Sequence, residues 1–181
     1  MLQAWDMLCE EALQPGTVLS PAHRSRSHTL THLLPTLKWL PSLSAPFPSQ
    51  VLSVLAKVDD WAFDPFQLAQ VTNGHPLSTL TFHLVKKCGL MPGRYGINET
   101  RLARFLCAVE EGYNHDTPYH NAIHAADVVR SLYVLLTRGG VVRRLCSEDN
   151  YESTVFAALI AATVHDFEHK GVNVSQGPGT V

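Results

Sequence analysis

The chain has 181 residues, of which 45% are hydrophobic and 17% charged, a composition that predicts one globular domain with a hydrophobic core. Its net charge of −2, with histidines neutral, argues against a general attraction to nucleic acid or to an anionic membrane. The longest apolar run, Val155 to Val164, is shorter than the ~20 residues of a transmembrane helix, and the N-terminus lacks a secretory signal pattern. We therefore expect a soluble, cytoplasmic protein with reduced thiols at its four widely spaced cysteines, Cys9, Cys88, Cys107 and Cys146.

Residues 1–50 are predicted to form a flexible segment that is rich in proline and serine. Residues 1–13 are compatible with one short amphipathic helix, whereas the prolines between residues 14 and 50 interrupt regular structure. The second stretch contains arginine and lysine but no acidic residue, a composition that transit peptides share. Because it does not begin at the N-terminus, we favour a tether over an organelle-targeting sequence.

Six helices are predicted after this segment, and no stretch shows the alternation that is typical of a β-strand. The start signals are proline at a first helical position and Asn98 or Thr117 as N-cap residues. The Val155–Val164 segment of the last helix is apolar nearly all round, so we expect this segment to be buried. The predicted ranges are 51–58, 65–71, 76–88, 99–112, 118–138 and 153–166. The domain is therefore predicted to be all-α.

Two short stretches contain residues that are suited to metal binding. In the first, His120, His124 and Asp127 are spaced i, i+4 and i+7, which places them on one face of a helix. In the second, His165 and Asp166 are adjacent at the end of the apolar helix, where an unpaired carboxylate is unfavourable. Histidine and carboxylate ligands suit zinc, manganese or iron, and a bridging carboxylate can share a second ion such as magnesium. Two such ions favour phosphoryl chemistry, in which one of the histidines would donate a proton.

These stretches resemble the signature of the class I 3′,5′-cyclic nucleotide phosphodiesterases, which are members of the HD hydrolase superfamily. The motifs are Tyr-His-Asn-x-x-His-Ala-x-Asp over residues 119–127 and His-Asp-x-x-His over residues 165–169. Segments 61–66 and 75–77 also resemble the start of the family's catalytic domain. The resemblance implies a compact helical fold with its metal site in a deep pocket. It also implies hydrolysis of cyclic AMP, cyclic GMP or both to 5′-monophosphates in signal transduction.

The resemblance further implies roles for the motif residues. His120 would be the general acid that protonates the leaving O3′ atom, and His169 would lie near the attacking hydroxide and the substrate phosphate. His124, His165 and Asp166 would be metal ligands. Asp166 would bridge two divalent ions, zinc and either magnesium or manganese.

Three other motif residues are expected to support the pocket. These are Tyr119, Asn121 and Asp127. For Asp127 the helical spacing leaves a second interpretation open, namely a third metal ligand beside the two histidines of its stretch. We favour the supporting role, because a residue one turn further along a helix points at a neighbouring spot.

The resemblance covers residues 51–173, expected to be the N-terminal part of a phosphodiesterase catalytic domain, and ends between Asn173 and Val174. Residues 174–181 are expected to be a tail outside the family pattern, for which translated intron sequence is one explanation. A fourth metal-ligating aspartate and the base-recognising glutamine and aromatic residue of the family would lie beyond this tail. A truncated, non-catalytic metal-binding or regulatory polypeptide is therefore the main alternative. Another phosphohydrolase of the HD type is a weaker one.

Overall fold

The computed structural model describes residues 47–90 and 97–169. Seven α-helices and no β-strand occur in these residues, which confirms the all-α prediction. The predicted helix in residues 1–13, most of the predicted tether and the tail at 174–181 lie outside this part of the chain. The helices are α1 (Ser49–Leu55), α2 (Pro65–Val71), α3 (Pro76–Lys87), α4 (Glu99–Glu111), α5 (Ala122–Thr137), α6 (Val141–Leu145) and α7 (Glu148–Val164).

Helices α2, α3 and α4 begin where local sequence signals predict them. Asp64 accepts hydrogen bonds from two backbone amides in the first turn of α2, at 2.8 and 3.2 Å. Asn98 accepts one from the backbone amide of Arg101 at 3.0 Å. Pro76 opens α3, where its missing N–H group leaves no donor unsatisfied. The starts of α2 and α4 are capped within their own turn, and that of α3 is indicated by its proline, which explains why the sequence sufficed.

The predicted start of α5 at Thr117 is wrong. The N-cap is Asn121, whose Oδ1 accepts backbone hydrogen bonds from Ile123 and His124 at 3.0 and 3.1 Å. The Thr117 hydroxyl instead donates to the carbonyl oxygen of His120 at 2.9 Å and closes a loop. His120 therefore lies in a loop before α5, and the predicted helical face that joins it to His124 does not exist.

Helix α7 is longer than predicted and is buried on one side. It begins at Glu148, before the predicted start at Ser153. The sequence pattern did not indicate these first turns, because they are polar and show no apolar period. Its buried residues recur at helical spacing and are Val155, Leu159, Ala162 and Thr163. Ala157 and Ala161, on another side of the helix, are exposed. The prediction that the Val155–Val164 segment is buried is thus wrong for this side of the helix, within the part of the chain that the structure describes.

Helix α5 lies at the centre and packs against both α3 and α7. Its buried face contains several alanines, which allow the neighbouring helices to approach closely. The buried residues of α5 are Ala122, Ala125, Ala126, Val129, Arg130, Tyr133 and Leu136. The first turn of α5 and the end of α7 are consequently held close to each other.

A buried arginine on α5 holds the loop that follows α1. Arg130 is 5% exposed, and its Nε donates to the carbonyl oxygen of Val58 at 3.1 Å. Its guanidinium group also donates to the carbonyl of Asp60 and lies over the rings of Trp61 and Phe63. Hydrogen bonds and stacking together satisfy a charge that would otherwise be unfavourable to bury. The segment 61–66, which contains these two aromatic rings, therefore anchors the central helix.

A buried carboxylate from α4 caps the start of α3. Glu110 is 1% exposed, and its Oε1 accepts the backbone N–H groups of Leu77 and Ser78 at 2.7 and 3.3 Å. Its Oε2 accepts the Ser78 hydroxyl at 2.5 Å and lies 3.2 Å from His75 Nδ1. The carboxylate at a helix N-terminus is favoured by the helix dipole. The hydrogen bond with Glu110 raises the pKa of His75.

The cysteines in the described residues match the expectation of free thiols. Cys88, Cys107 and Cys146 are unpaired. Burial raises the pKa of the Cys107 thiol to about 12, so this group is protonated at neutral pH and poorly nucleophilic. Among the described helices, none has both the length and the apolar character that crossing a membrane requires.

Candidate metal centre

Two histidines and one aspartate converge where the start of α5 meets the end of α7. His124 lies in the first turn of α5, and His165 and Asp166 directly follow α7. Each offers a ligand atom, and these atoms all lie within 4.8 Å of one another. The Nε2 atoms of His165 and His124 are 3.1 and 3.5 Å from Asp166 Oδ2. The structure thus brings together the three residues that the resemblance implies as metal ligands.

The hydrogen-bond partner of His165 determines which of its ring nitrogens is available to a metal ion. The Nδ1 atom of His165 lies 2.7 Å from the carbonyl oxygen of Ala162 and must donate to it, because a carbonyl can only accept. This leaves Nε2 of His165, which lies beside Asp166, as the ring nitrogen available to a metal ion. For His124, burial and then the neighbouring His165 lower the pKa.

The cluster is partly open to solvent. The side chains of His124 and Asp166 are 17% and 16% exposed, and that of His165 is 30% exposed. A ligand or an ion can therefore reach the three donor atoms from outside.

The remaining rings of the two motifs stack beside this cluster. The imidazoles of His120 and His169 are stacked, with centroids 3.9 Å apart and an interplanar angle of 23°. The Tyr119 ring lies 4.3 Å from the ring of His124 and 5.0 Å from that of His120. His120 and His124 have ring centroids 6.1 Å apart. His120 and His169 thus form a second histidine pair that adjoins the three clustered residues without joining them.

Asn121 and Asp127 do not contribute atoms to the three-residue cluster. Asn121 acts on the backbone, because its side chain caps α5 and thereby determines where His124 lies. Asp127 is exposed on α5, and the group of ligand atoms within 4.8 Å does not include its carboxylate. The geometry therefore gives no support to the interpretation of Asp127 as a third ligand on this helix.

One residue that contacts this centre is missed by the sequence reasoning. The hydroxyl of Tyr113, which follows α4, donates to the carbonyl oxygen of Thr163 at 2.9 Å. It also accepts a hydrogen bond from the backbone N–H of Asp166 at 3.3 Å. In the sequence this tyrosine is a single aromatic residue just after a helix, and it carries no motif. Its contact joins positions separated by 50 and 53 residues, which no local pattern reveals.

Comparison with known proteins adds independent information about these motifs. The family of 3′5′-cyclic nucleotide phosphodiesterases matches residues 119–175. A probable 3′,5′-cyclic phosphodiesterase, pde-1 of Caenorhabditis elegans, is 36% identical over 130 residues, which cover 71% of this chain and 19% of that protein.

Two mammalian proteins show a similar degree of likeness. The dual specificity calcium/calmodulin-dependent 3′,5′-cyclic nucleotide phosphodiesterase 1B of Homo sapiens is 38% identical over 135 residues, 74% of this chain and 24% of that protein. The 1C protein of Mus musculus, with the same description, is 36% identical over 126 residues, 69% of this chain and 17% of that protein.

The chain therefore spans between 17% and 24% of the length of these curated relatives. The matched region includes both histidine motifs and the whole of α5 and α7. By these matches, residues 119–175 of this chain belong to the 3′5′-cyclic nucleotide phosphodiesterase family.

Proposed function

We propose that this chain provides a metal-binding part of a phosphodiesterase that hydrolyses cyclic AMP, cyclic GMP or both to 5′-monophosphates in signal transduction. The main support is the convergence of His124, His165 and Asp166, whose ligand atoms lie within 4.8 Å of one another. Two imidazoles and a carboxylate form a ligand set that zinc uses in catalytic sites, where a further position stays open. The second carboxylate oxygen of Asp166 suits a harder ion, magnesium or manganese.

The chemistry is divided between the ions and two histidines. Bound divalent ions supply the Lewis acidity that activates water near neutral pH and offsets charge on the phosphate. His120 donates the proton to the leaving O3′ atom. A residue in this role has to lie beside the metal ligands without being one of them. Its ring centroid is 6.1 Å from that of His124 and 3.9 Å from that of His169. The stacked His169 restricts the orientation of His120 and lies near the substrate phosphate.

The alternative is a non-catalytic metal-binding or regulatory polypeptide. The same cluster supports it, because His124, His165 and Asp166 can hold a metal ion without a nucleotide-binding site. Such a polypeptide would keep the three clustered residues and bind a metal ion without turning over a nucleotide.

Zinc titration and a hydrolysis assay on the 181-residue chain distinguish these functions. We expect calorimetry to show zinc binding, and we expect hydrolysis of cyclic AMP or cyclic GMP when zinc and magnesium are present. His120→Asn is expected to lower hydrolysis by at least about 100-fold, because general acid catalysis contributes this much, while zinc affinity changes by less than about twofold. The matched control is His115→Asn, which alters an exposed histidine of the same loop and should leave both measurements unchanged.

Each other outcome contradicts a specific part of the proposal. Zinc binding without hydrolysis of either nucleotide contradicts the catalytic function and supports the non-catalytic alternative. Loss of zinc from the His120→Asn variant would identify His120 as a ligand and contradict its role as proton donor. Absence of zinc binding by the unaltered chain would contradict both functions.

A further inference from the structure

We propose that Tyr113 is a positioning residue of the metal centre, a role that depends on the proposed metal function. Its hydroxyl holds the backbone of Asp166 so that the carboxylate faces the two histidines. Tyr113 touches neither His124 nor His165 through this hydroxyl, and it would act on the metal through the position of Asp166.

The two hydrogen bonds of this hydroxyl join the last turn of α7 to Asp166, the second residue after the helix. Tyr113 is 2% exposed, so its hydroxyl is shielded from water that could replace either bond. It donates to the Thr163 carbonyl at 2.9 Å and accepts from the Asp166 N–H at 3.3 Å. In a continued helix, this N–H would donate to the carbonyl of Ala162. That carbonyl lies 2.7 Å from His165 Nδ1 and accepts a hydrogen bond from it.

Tyr113 therefore satisfies a backbone donor at the point where α7 gives up its regular hydrogen bonding. This change of hydrogen-bond partners orients both proposed ligands on this turn. The ring of His165 is oriented by the carbonyl of Ala162, and the backbone of Asp166 is oriented by Tyr113. The two side chains then meet, with His165 Nε2 and Asp166 Oδ2 3.1 Å apart.

The turn is also held from a second direction. The N–H of Glu168 donates to the carbonyl of Gly112 at 3.3 Å, and Glu168 has a left-handed φ of 58°. A Cβ atom at Gly112 would overlap the ring of Phe167, so any larger residue here would displace that ring. Gly112 and Tyr113 are neighbours after α4, and together they contact the residues on both sides of the Asp166–Phe167 peptide bond.

Thr163, the other partner of Tyr113, is itself firmly held. Its hydroxyl oxygen is 2.8 Å from the carbonyl of Leu159 and 3.2 Å from the hydroxyl oxygen of Thr81 on α3. Burial raises the pKa of Tyr113 to about 12, so the phenol stays protonated and can donate and accept at once. Phenylalanine has the same ring and can do neither.

The test compares Tyr113→Phe with Tyr133→Phe in the 181-residue chain. Tyr133 is 5% exposed, and its hydroxyl donates to Asp59 Oδ1 at 3.0 Å, so the control removes one phenol hydroxyl from a comparably buried ring. We expect Tyr113→Phe to weaken zinc binding by about 10-fold or more in calorimetry, because residues that orient metal ligands have effects of this size. The visible absorption of bound Co²⁺ should also change, whereas Tyr133→Phe should alter neither measurement.

Wild-type zinc affinity and an unchanged Co²⁺ spectrum in Tyr113→Phe would overturn the positioning role. Equal losses of affinity in both variants would also overturn it, because they would indicate general destabilisation.

A second measurement needs no metal. The backbone amide of Asp166 should exchange its hydrogen faster in Tyr113→Phe than in the unaltered chain, and an unchanged rate would overturn the role. Absence of zinc binding by the unaltered chain would instead overturn the proposed metal function, so the two failures are distinguishable.

Discussion

Two carboxylates in this protein lie beside histidine, but their environments are opposite. Glu110 is 1% exposed and accepts hydrogen bonds from two backbone amides and a hydroxyl, in addition to its contact with His75. Asp166 has a side chain that is 16% exposed and faces two imidazole nitrogens, on His124 and His165. An imidazole nitrogen that lacks a proton is an acceptor, as a carboxylate oxygen is. The three atoms around Asp166 are therefore best held together by a cation or by protons that they share.

The comparison shows that a histidine–carboxylate pair has no single meaning. Where amide and hydroxyl donors surround the carboxylate, the pair stabilises the fold. Where imidazole nitrogens surround the carboxylate and solvent can reach it, the pair is suited to bind a metal ion. Substitutions at the two sites should therefore affect different properties, and each substitution tests whether the two sites are independent.

The largest expected effect is on stability, for Glu110→Ala. This change leaves the N–H groups of Leu77 and Ser78 and the Ser78 hydroxyl without their buried acceptor, so the free energy of unfolding should fall by about 3 kcal/mol. Glu110→Gln keeps one acceptor oxygen and should lose roughly half as much. Urea denaturation measures both losses. Zinc affinity should stay within about twofold, since Glu110 does not belong to the ligand cluster. A parallel loss of zinc affinity would show that the two sites are coupled.

The next effect is on metal affinity, for Asp166→Asn. A neutral amide of the same shape replaces the anionic ligand, so zinc affinity should fall by about 100-fold, or about 2.7 kcal/mol, in calorimetry. Stability without metal should change by less than about 1 kcal/mol, because the side chain is not part of the core.

Asp127→Asn provides the matched control on α5. This carboxylate is exposed and lies outside the cluster, so zinc affinity should not change. Equal losses in the two variants would instead make Asp127 a ligand, as the helical spacing alone permits.

The smallest effect is the pH dependence of the contact between His75 and Glu110. The hydrogen bond to Glu110 raises the pKa of His75 above its usual 6.5 in the folded state. The stabilisation is therefore fully present below pH 6.5 and is lost as the pH rises through the folded pKa. His75→Gln should lower the free energy of unfolding by about 1 kcal/mol near pH 5.5, and by less near pH 8.5, in urea denaturation.

His115→Gln is the control for this pH dependence, because His115 is exposed. It should show no difference between the two pH values. A loss at His75 that is equal at both values would mean that the contact does not depend on the charge of the ring.

Much of the fold could be predicted because its signals are local. Asp64 and Asn98 cap helices through groups in their own turn, and Pro76 marks the start of α3 in the sequence. The competition between Thr117 and Asn121 had no such local answer. Both are good N-cap residues, and Asn121 caps α5 while the Thr117 hydroxyl bonds to the carbonyl of His120 within the preceding loop.

The sequence by itself determined the all-α class and most helix positions, since periodicity and helix-start signals are properties of the chain. The residues that converge near His124 were implied by the resemblance of the two motifs to a known family. Tertiary structure alone decided that His120 stands off the helix and that α7 buries one face. It also decided that Tyr113 reaches Asp166, 53 residues away. The reason is physical: helix caps and periodicity act within a few residues, whereas the hydrogen bonds that orient this centre form only after α4, α5 and α7 have packed together.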